Sequence, residues 1–280
     1  MDAAKVKSLN LTAAKMRRHA LEAIQCANSG HIGGSFSIAE ILSVLYFDRM
    51  HIDPKNPRWE DRDRFVLSKG HCTPTTYSAL ALRGFFPVED LKTFRKIDSN
   101  LSGHIEMKHV PGVDMSAGSL GQGLSVAAGM ALAGKTDGKN YRVYAITGDG
   151  EIEEGQIWEA AMAAAHFKLD NLVLFVDNNQ LQLDGAVSEV MSVNPIDEKF
   201  RAFGWNAINA DGNDVEALNA ALDEAEKVSG KPTVIVCHTV KGKGVSIFEG
   251  GVKWHGGRPT AEEYKTAYAE LDARIAELEG

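Results

Sequence analysis

Cysteine is scarce in this chain: three residues in 280, Cys26, Cys72 and Cys237, stand far apart with no CxxC spacing. That excludes a disulfide framework and a cysteine-built zinc cluster, and it fits a reducing compartment, so a cytoplasmic location is expected. Blocks of Lys and Arg are also missing, and the formal net charge is −8. Nucleic acid and anionic membranes would be repelled, and neither is expected as a partner. No apolar run approaches the roughly 18 residues that span a bilayer. No GxxxxGK[ST] occurs, so there is no Walker loop. Internal repeats, low-complexity tracts and breaks in composition are absent too, and one domain over residues 1–280 is expected.

What is present is ordinary globular material, 44% apolar and 24% charged. The basic opening resembles a transit peptide at first sight. Val6, Leu9, Ala13, Met16, Ala20 and Ile24 nevertheless recur at helical spacing and Gly30 closes the run, which predicts an amphipathic first helix. Short apolar runs predict strands at 64–68, 141–147, 171–177, 205–210 and 233–239. Helical patterns lie at 38–48, 73–83, 121–133, 154–167, 195–203, 213–228 and about 260–278. Such alternation predicts an α/β fold, a mostly parallel sheet with helices on both faces. The Gly-rich stretches 112–123 and 241–257 read as binding loops.

The segment TGDGEIEEG, Thr147 to Gly155, sets four carboxylates among three glycines directly after a strand. In open α/β sheets that turn is where phosphate binds. A right-handed crossover would set the strand ending at Thr147 beside the strand ending at Asp177, with one helix between them. Asp149 and Asn179 then lie past adjacent carboxyl ends, where hard oxygen donors suit Mg²⁺ carrying a diphosphate. Gly148 and Gly150 let backbone approach the phosphates without a Cβ in the way. On residues alone, the pair GDG…NN reads equally as a metal site or as a common turn followed by a loop start. Glu151 and Glu153 are read as first-turn carboxylates facing a helix dipole; Glu154 stays open between that reading and a function.

Four of nine histidines adjoin glycine: His31, His71, His104 and His255. Their loop settings suit proton transfer, though each is also compatible with a structural role. His19, His51, His109, His166 and His238 are read as structural.

The segment from GDG to NN resembles the thiamine diphosphate motif. Together with SGHIGGSFSIAEIL, LSKGHCTPTTYSAL, SGHIEMKHVPGVDMSAGSLGQGLSVAAGMALA and VKGKGVSIFEGGVKWHGGRP, it is similar to the amino-terminal half of transketolase, over about residues 8–262. The resemblance implies the thiamine diphosphate-binding (diphosphate-binding domain) fold, with thiamine diphosphate as cofactor and Mg²⁺ as metal, Ca²⁺ or Mn²⁺ being possible substitutes. It implies Asp149, Asn179 and the Leu181 carbonyl as metal ligands. It also places His31 and His255 near the cofactor's reactive carbon and diphosphate, His71 near the diphosphate, and His104 at the donor sugar's terminal hydroxyl. Gly118 and Leu120 fall at the aminopyrimidine, and Glu154 at a contact between copies. The implied reaction is two-carbon ketol transfer between sugar phosphates. The pyrimidine-binding domain of that family has no counterpart here, and the ending reads as a finished helix. A carboxy-terminal partner subunit, with two copies of each chain, is therefore expected. Alternatives are the α-chain of a 2-oxoacid dehydrogenase decarboxylase, a deoxyxylulose phosphate synthase, which would need a longer chain, and a non-catalytic nucleotide-binding module.

Overall fold

A computed structural model describes residues 1–280. Helix α1, Ala3–Ala27, begins at Asp2, whose carboxylate accepts the Lys5 N–H at 2.8 Å, and stops at Asn28, a left-handed cap with φ 49°. Asn28 thus ends the helix, where the sequence reading gave that role to Gly30. Gly30 serves packing instead, since a Cβ there would stand 2.6 Å from Ile24 Cγ1. Next come α2 (Ile32–Phe36) and α3 (Ala39–Val44), then strand β1 (Arg64–Leu67) and α4 (Thr73–Arg83). The helix expected at 38–48 is shorter because a wider turn, Leu45–Arg49, replaces its last part.

The middle of the chain runs α5 (Gln122–Thr136), β2 (Val143–Gly148), α6 (Gly155–His166), β3 (Leu172–Asn178), α7 (Val187–Val190), α8 (Ile196–Ala202) and β4 (Asn206–Asp211). It closes with α9 (Val215–Ala225), β5 (Thr233–His238) and α10 (Ala261–Glu279). Helix α10 starts in a capping box: Thr260 Oγ1 accepts the Glu263 N–H while the Glu263 carboxylate accepts the Thr260 N–H. Two reciprocal bonds satisfy donors that every helix start leaves free.

All five expected strands form, and they make one parallel sheet in the order β1-β2-β3-β5-β4. Side chains alternate across it, so each strand feeds two cores. Phe65, Leu67, Tyr144, Ile146, Val173, Phe175, Ile235 and Cys237 pack with α1, α3, α4 and α9. Val66, Val143, Ala145, Leu172, Leu174, Val176, Val234 and Val236 pack with α5, α6 and α8. Each fully buried Leu, Val or Phe contributes about 1.5–3 kcal/mol of hydrophobic transfer, which is why these strands carry almost no polar residues. A third cluster joins α1, α2 and α10 through Phe36, Phe248 and Trp254.

The expected crossover is present. Strands β2 and β3 are neighbours, Gly148 lies opposite Asp177 in the ladder, and α6 connects them. Both strands therefore open at the same edge. No helix is long and apolar enough to cross a membrane.

Candidate active site

At the carboxyl edge of the sheet a cleft of about 200 Å³ is lined by Asp149, Asn179, Leu181, Lys69, Lys241 and His255, among others. It lies where β1, β2, β3 and β5 hand over to loops, so rigid strand ends fix its floor. Asp149 is 2% exposed. Its carboxylate accepts the Gly150 N–H at 2.9 Å and, by a short bond, the Gln180 N–H. Burial, and after it the nearby Asp177, pushes the Asp149 carboxyl up to about 7. Asn179 Nδ2 donates to Asp177 Oδ2 at 2.8 Å, and its Oδ1 accepts the Leu181 N–H at 3.1 Å. The Leu181 carbonyl in turn accepts Lys241 Nζ at 3.0 Å.

These three residues are all at the cleft, and the donors they offer are hard oxygens. No group of three or more His, Cys, Asp or Glu is disposed to hold a metal by itself. That donor set fits Mg²⁺, which takes one or two carboxylates and completes its shell with phosphate oxygens and water. A cation beside Asp149 would also compensate a carboxylate that burial now drives toward its neutral form.

Next to Asn179 lies an ion pair that the sequence reading did not single out. Lys69 Nζ donates to Asp177 Oδ2 and to the Gly34 carbonyl at 2.9 Å. Asp177 is fully buried and also accepts from Ser37 Oγ at 2.8 Å and from Thr239 Oγ1. Burial alone would raise its pKa, yet Lys69, Thr239 and Ser37 hold the carboxyl below the usual range. Burial likewise opposes the Lys69 charge, and Asp177 more than restores it. Both groups are therefore ionised, and the cleft floor carries a fixed ammonium. Lys241, whose pKa burial and then Lys69 lower from the ordinary lysine value, is the second amine on the cleft. The available signals were SKGH and VKGKG, where each lysine follows a strand at the carboxyl edge.

The four Gly-flanked histidines converge. Ring centroids are 4.9 Å apart for His31 and His71, 5.5 Å for His31 and His255, 5.2 Å for His71 and His255, and 6.1 Å for His31 and His104. Arg95 Nη2 stands 3.4 Å from His31 Nδ1, and Lys241 Nζ 3.3 Å from His255 Nδ1. Each cation can only donate, so each Nδ1 accepts and the proton of the neutral ring resides on Nε2. Burial lowers all four pKa values. Arg95 adds to the shift of His31, taking it to about 4, and Lys241 to that of His255, also about 4. His71 falls well below its ordinary value with Lys69 as second cause, and His104 is lowered with Arg95 second.

An imidazole at about 4 when folded and 6.5 when unfolded leaves the folded chain with fewer protons between those values. The contribution to stability is complete above pH 6.5 and is lost as pH falls toward 4. NMR should accordingly find His31 and His255 neutral at pH 6, while Asp149, pushed up to about 7, acts on the thermal midpoint in the opposite sense over the same window. Imidazole midpoints near 6.5 in the folded chain would contradict this.

Gly118 borders His104, with an added Cβ 3.7 Å from its ring, and Leu120 lines the cleft at 38% exposure. Gly148 and Gly150 also line it, but the Gly148 N–H is already engaged by Glu151 Oε2 at 3.0 Å. Glu154 is exposed and packs on Gly121, where a Cβ would come within 2.7 Å of its own. The first-turn reading of Glu151 and Glu153 needs correction. They form a separate 3₁₀ turn, Glu151–Glu153, ahead of α6. Glu151 is moreover 3% exposed, because backbone and hydroxyl donors from three segments draw its carboxylate inward.

Residues 9–274 match the family described as transketolase, thiamine diphosphate binding domain. The chain is 47% identical over 257 residues to a 6-deoxy-6-sulfo-D-fructose transketolase subunit of Clostridium sp., covering 92% of this chain and 94% of that one. It is 44% identical over 274 residues to an apulose-4-phosphate transketolase subunit of Phocaeicola vulgatus, covering 98% and 97%. Its fold superposes on the Pichia stipitis transketolase complexed with sedoheptulose-7-phosphate with a TM-score of 0.87 at 32% identity. That match covers 97% of this chain and 44% of the Pichia chain, so the present chain spans a little under half of that solved transketolase. Cleft geometry, family match and subunit-length relatives agree: the chain belongs to the transketolase family, as its amino-terminal, thiamine diphosphate-binding part.

Proposed function

We infer that this chain builds the diphosphate half of a transketolase active site and works only when a second chain supplies the other half. What carries the reading is the meeting, in one cleft, of three oxygen donors, two lysine amines and the imidazoles of His71 and His255, with His31 and His104 beside them. Asp149, Asn179 and the Leu181 carbonyl would hold Mg²⁺, for which Ca²⁺ or Mn²⁺ can substitute. Lys69 and Lys241 would neutralise the diphosphate oxygens that the metal does not reach. When bound, thiamine diphosphate supplies the carbanion-stabilising ring that carries a two-carbon unit between sugars.

The protein's own work is to orient and to move protons. Imidazoles neutral at pH 7 can take a proton from a sugar hydroxyl and return it to a carbonyl oxygen. His31 and His255, held by Arg95 and Lys241, each present an Nε2–H at a fixed place. Exposed His104 is assigned to the donor's terminal hydroxyl, and Gly118 and Leu120 to the aminopyrimidine end. Glu154, on the outer face of the Gly121 turn, is assigned to a contact between copies.

A partner is required to activate the aminopyrimidine, since Glu151, the buried carboxylate beside the 118–121 turn, is already engaged by three hydrogen bonds. Leu183, Val190 and Met191 are 62%, 45% and 61% exposed on the segment that rims the cleft, a surface for a second chain to cover. The names of the two relatives, both subunits, support this division. We assign residues 1–280 to one diphosphate-binding domain in a cytoplasmic assembly with two copies of each chain. The donor is taken to be a ketose phosphate or a similar acidic ketose, because those relatives are named for a sulfonated fructose and for apulose-4-phosphate.

The test is ketol transfer by the mixed chains with His104→Ala as probe. The variant should raise the donor KM by about tenfold, the worth of one lost hydrogen bond in a dry site, with thiamine diphosphate affinity unchanged. Equal loss of cofactor binding would remove His104 from the sugar subsite.

A further inference from the structure

We propose that Glu151 is a positioning residue that sets the distance between the two ends of the cofactor site, a proposal that rests on the functional reading above. Its carboxylate gathers three donors, two of them, Ser68 and Gly121, distant in sequence and the third, Gly148, at the end of the strand just before it. Oε1 accepts the Gly121 N–H at 2.9 Å together with Ser68 Oγ, and Oε2 accepts the Gly148 N–H at 3.0 Å. Ser68 Oγ also accepts the Gly123 N–H at 3.1 Å, so the same hydroxyl links Glu151 to the start of α5. Three donors thus converge on one carboxyl group, although burial raises its pKa from the ordinary glutamate value.

The two ends are not equally anchored without it. Gly148 is a ladder residue of β2, paired with Asp177, and the sheet holds it in place. The turn 118–121 has no such support. It reaches α5 through Gly121 at φ 86°, and Glu151 is the acceptor for the Gly121 N–H. Ser68, at the end of β1, completes the brace, since a Cβ on Gly123 would fall 2.4 Å from its Oγ. Glu151 thus ties a loose turn, the one assigned to the aminopyrimidine, to the fixed turn assigned to the diphosphate. A carboxylate next to an anion site is electrostatically unfavourable, and this brace is the physical reason for having one there.

Glu151→Gln keeps shape and volume but turns an NH₂ toward an N–H, so the brace fails on one side. Binding should be compared for Mg²⁺–thiamine diphosphate, which contacts both turns, and Mg²⁺–pyrophosphate, which contacts the fixed one only. The full chain is used with its partner subunit, and thermal unfolding is recorded in parallel. Loss of a charged, buried hydrogen bond predicts about a tenfold to hundredfold weaker thiamine diphosphate affinity, with pyrophosphate affinity changed by less than about threefold. Ser68→Ala, which removes one donor and leaves the backbone bonds, should shift the same ratio in the same direction by less, and it serves if Glu151→Gln does not fold. Equal losses for both ligands, or no loss for either, would overturn the proposal. Failure of the wild-type pair to bind thiamine diphosphate would instead overturn the functional reading beneath it, so the two failures are distinguishable.

Discussion

Asp149→Ala should abolish Mg²⁺-dependent binding of thiamine diphosphate. Among the three oxygens assigned to the metal, it supplies the sole negative charge; Asn179 and Leu181 offer neutral carbonyl dipoles. Partners of metal ligands are worth about 10–100-fold in affinity, and a charged ligand itself is expected to exceed that range. The fold should survive. Asp149 opposes folding near neutral pH, because burial and Asp177 push its carboxyl up to about 7. Its removal leaves the Gln180 and Gly150 N–H groups without that acceptor, a partial offset. Calorimetry with the partner subunit present checks this, and an unchanged cofactor affinity would refute the metal assignment.

The second large effect concerns stability. Lys69→Met leaves the Asp177 carboxylate fully buried with Ser37, Thr239 and Asn179 as donors and no cation in contact with it, Lys241 acting only from further away. Breaking a buried pair from one side costs about 3–5 kcal/mol, whereas replacing both partners by uncharged groups of similar volume is far milder. Chemical denaturation should thus rank wild type first, the double variant Lys69→Met with Asp177→Asn second, and Lys69→Met last. A single variant as stable as wild type would mean that the pair is not ionised. Cofactor binding should fall in both variants, because each removes one ammonium from the cleft floor.

Strands were legible in the sequence for a simple reason. In a parallel sheet covered on both faces each strand is an uninterrupted apolar run, as LVLFVD is, and such runs have no other stable use. The edge strand β4 is more polar, and it was read from the short apolar run at 205–210. Helix ends were less legible. Asn28 rather than Gly30 closes α1, since a left-handed cap accepts asparagine, and the turn Leu45–Arg49 gave no separate signal.

Side chains that act at the end of a strand were recoverable from motifs: Asp149, Asn179 and the histidines all come to the cleft. Those that act through distant partners were not. Glu151 reaches Ser68 across 83 residues, and Lys69 reaches Asp177 across 108. A carboxylate's spacing along the chain says nothing about donors that arrive from other loops, so Glu151 read as a dipole-facing acid until the fold brought Ser68 and Gly121 to it. Lys241 was hidden in the same way, because its partner Leu181 lies on another loop, 60 residues away.

Dependence on a second chain is open to direct measurement. The purified chain is assayed for ketol transfer with a ketose phosphate donor, an aldose phosphate acceptor, Mg²⁺ and thiamine diphosphate, first alone and then titrated with the partner subunit. The expected result is no turnover above background alone, and activity that rises with the partner to a plateau at equal stoichiometry. Robust turnover by this chain without any second polypeptide would contradict the account.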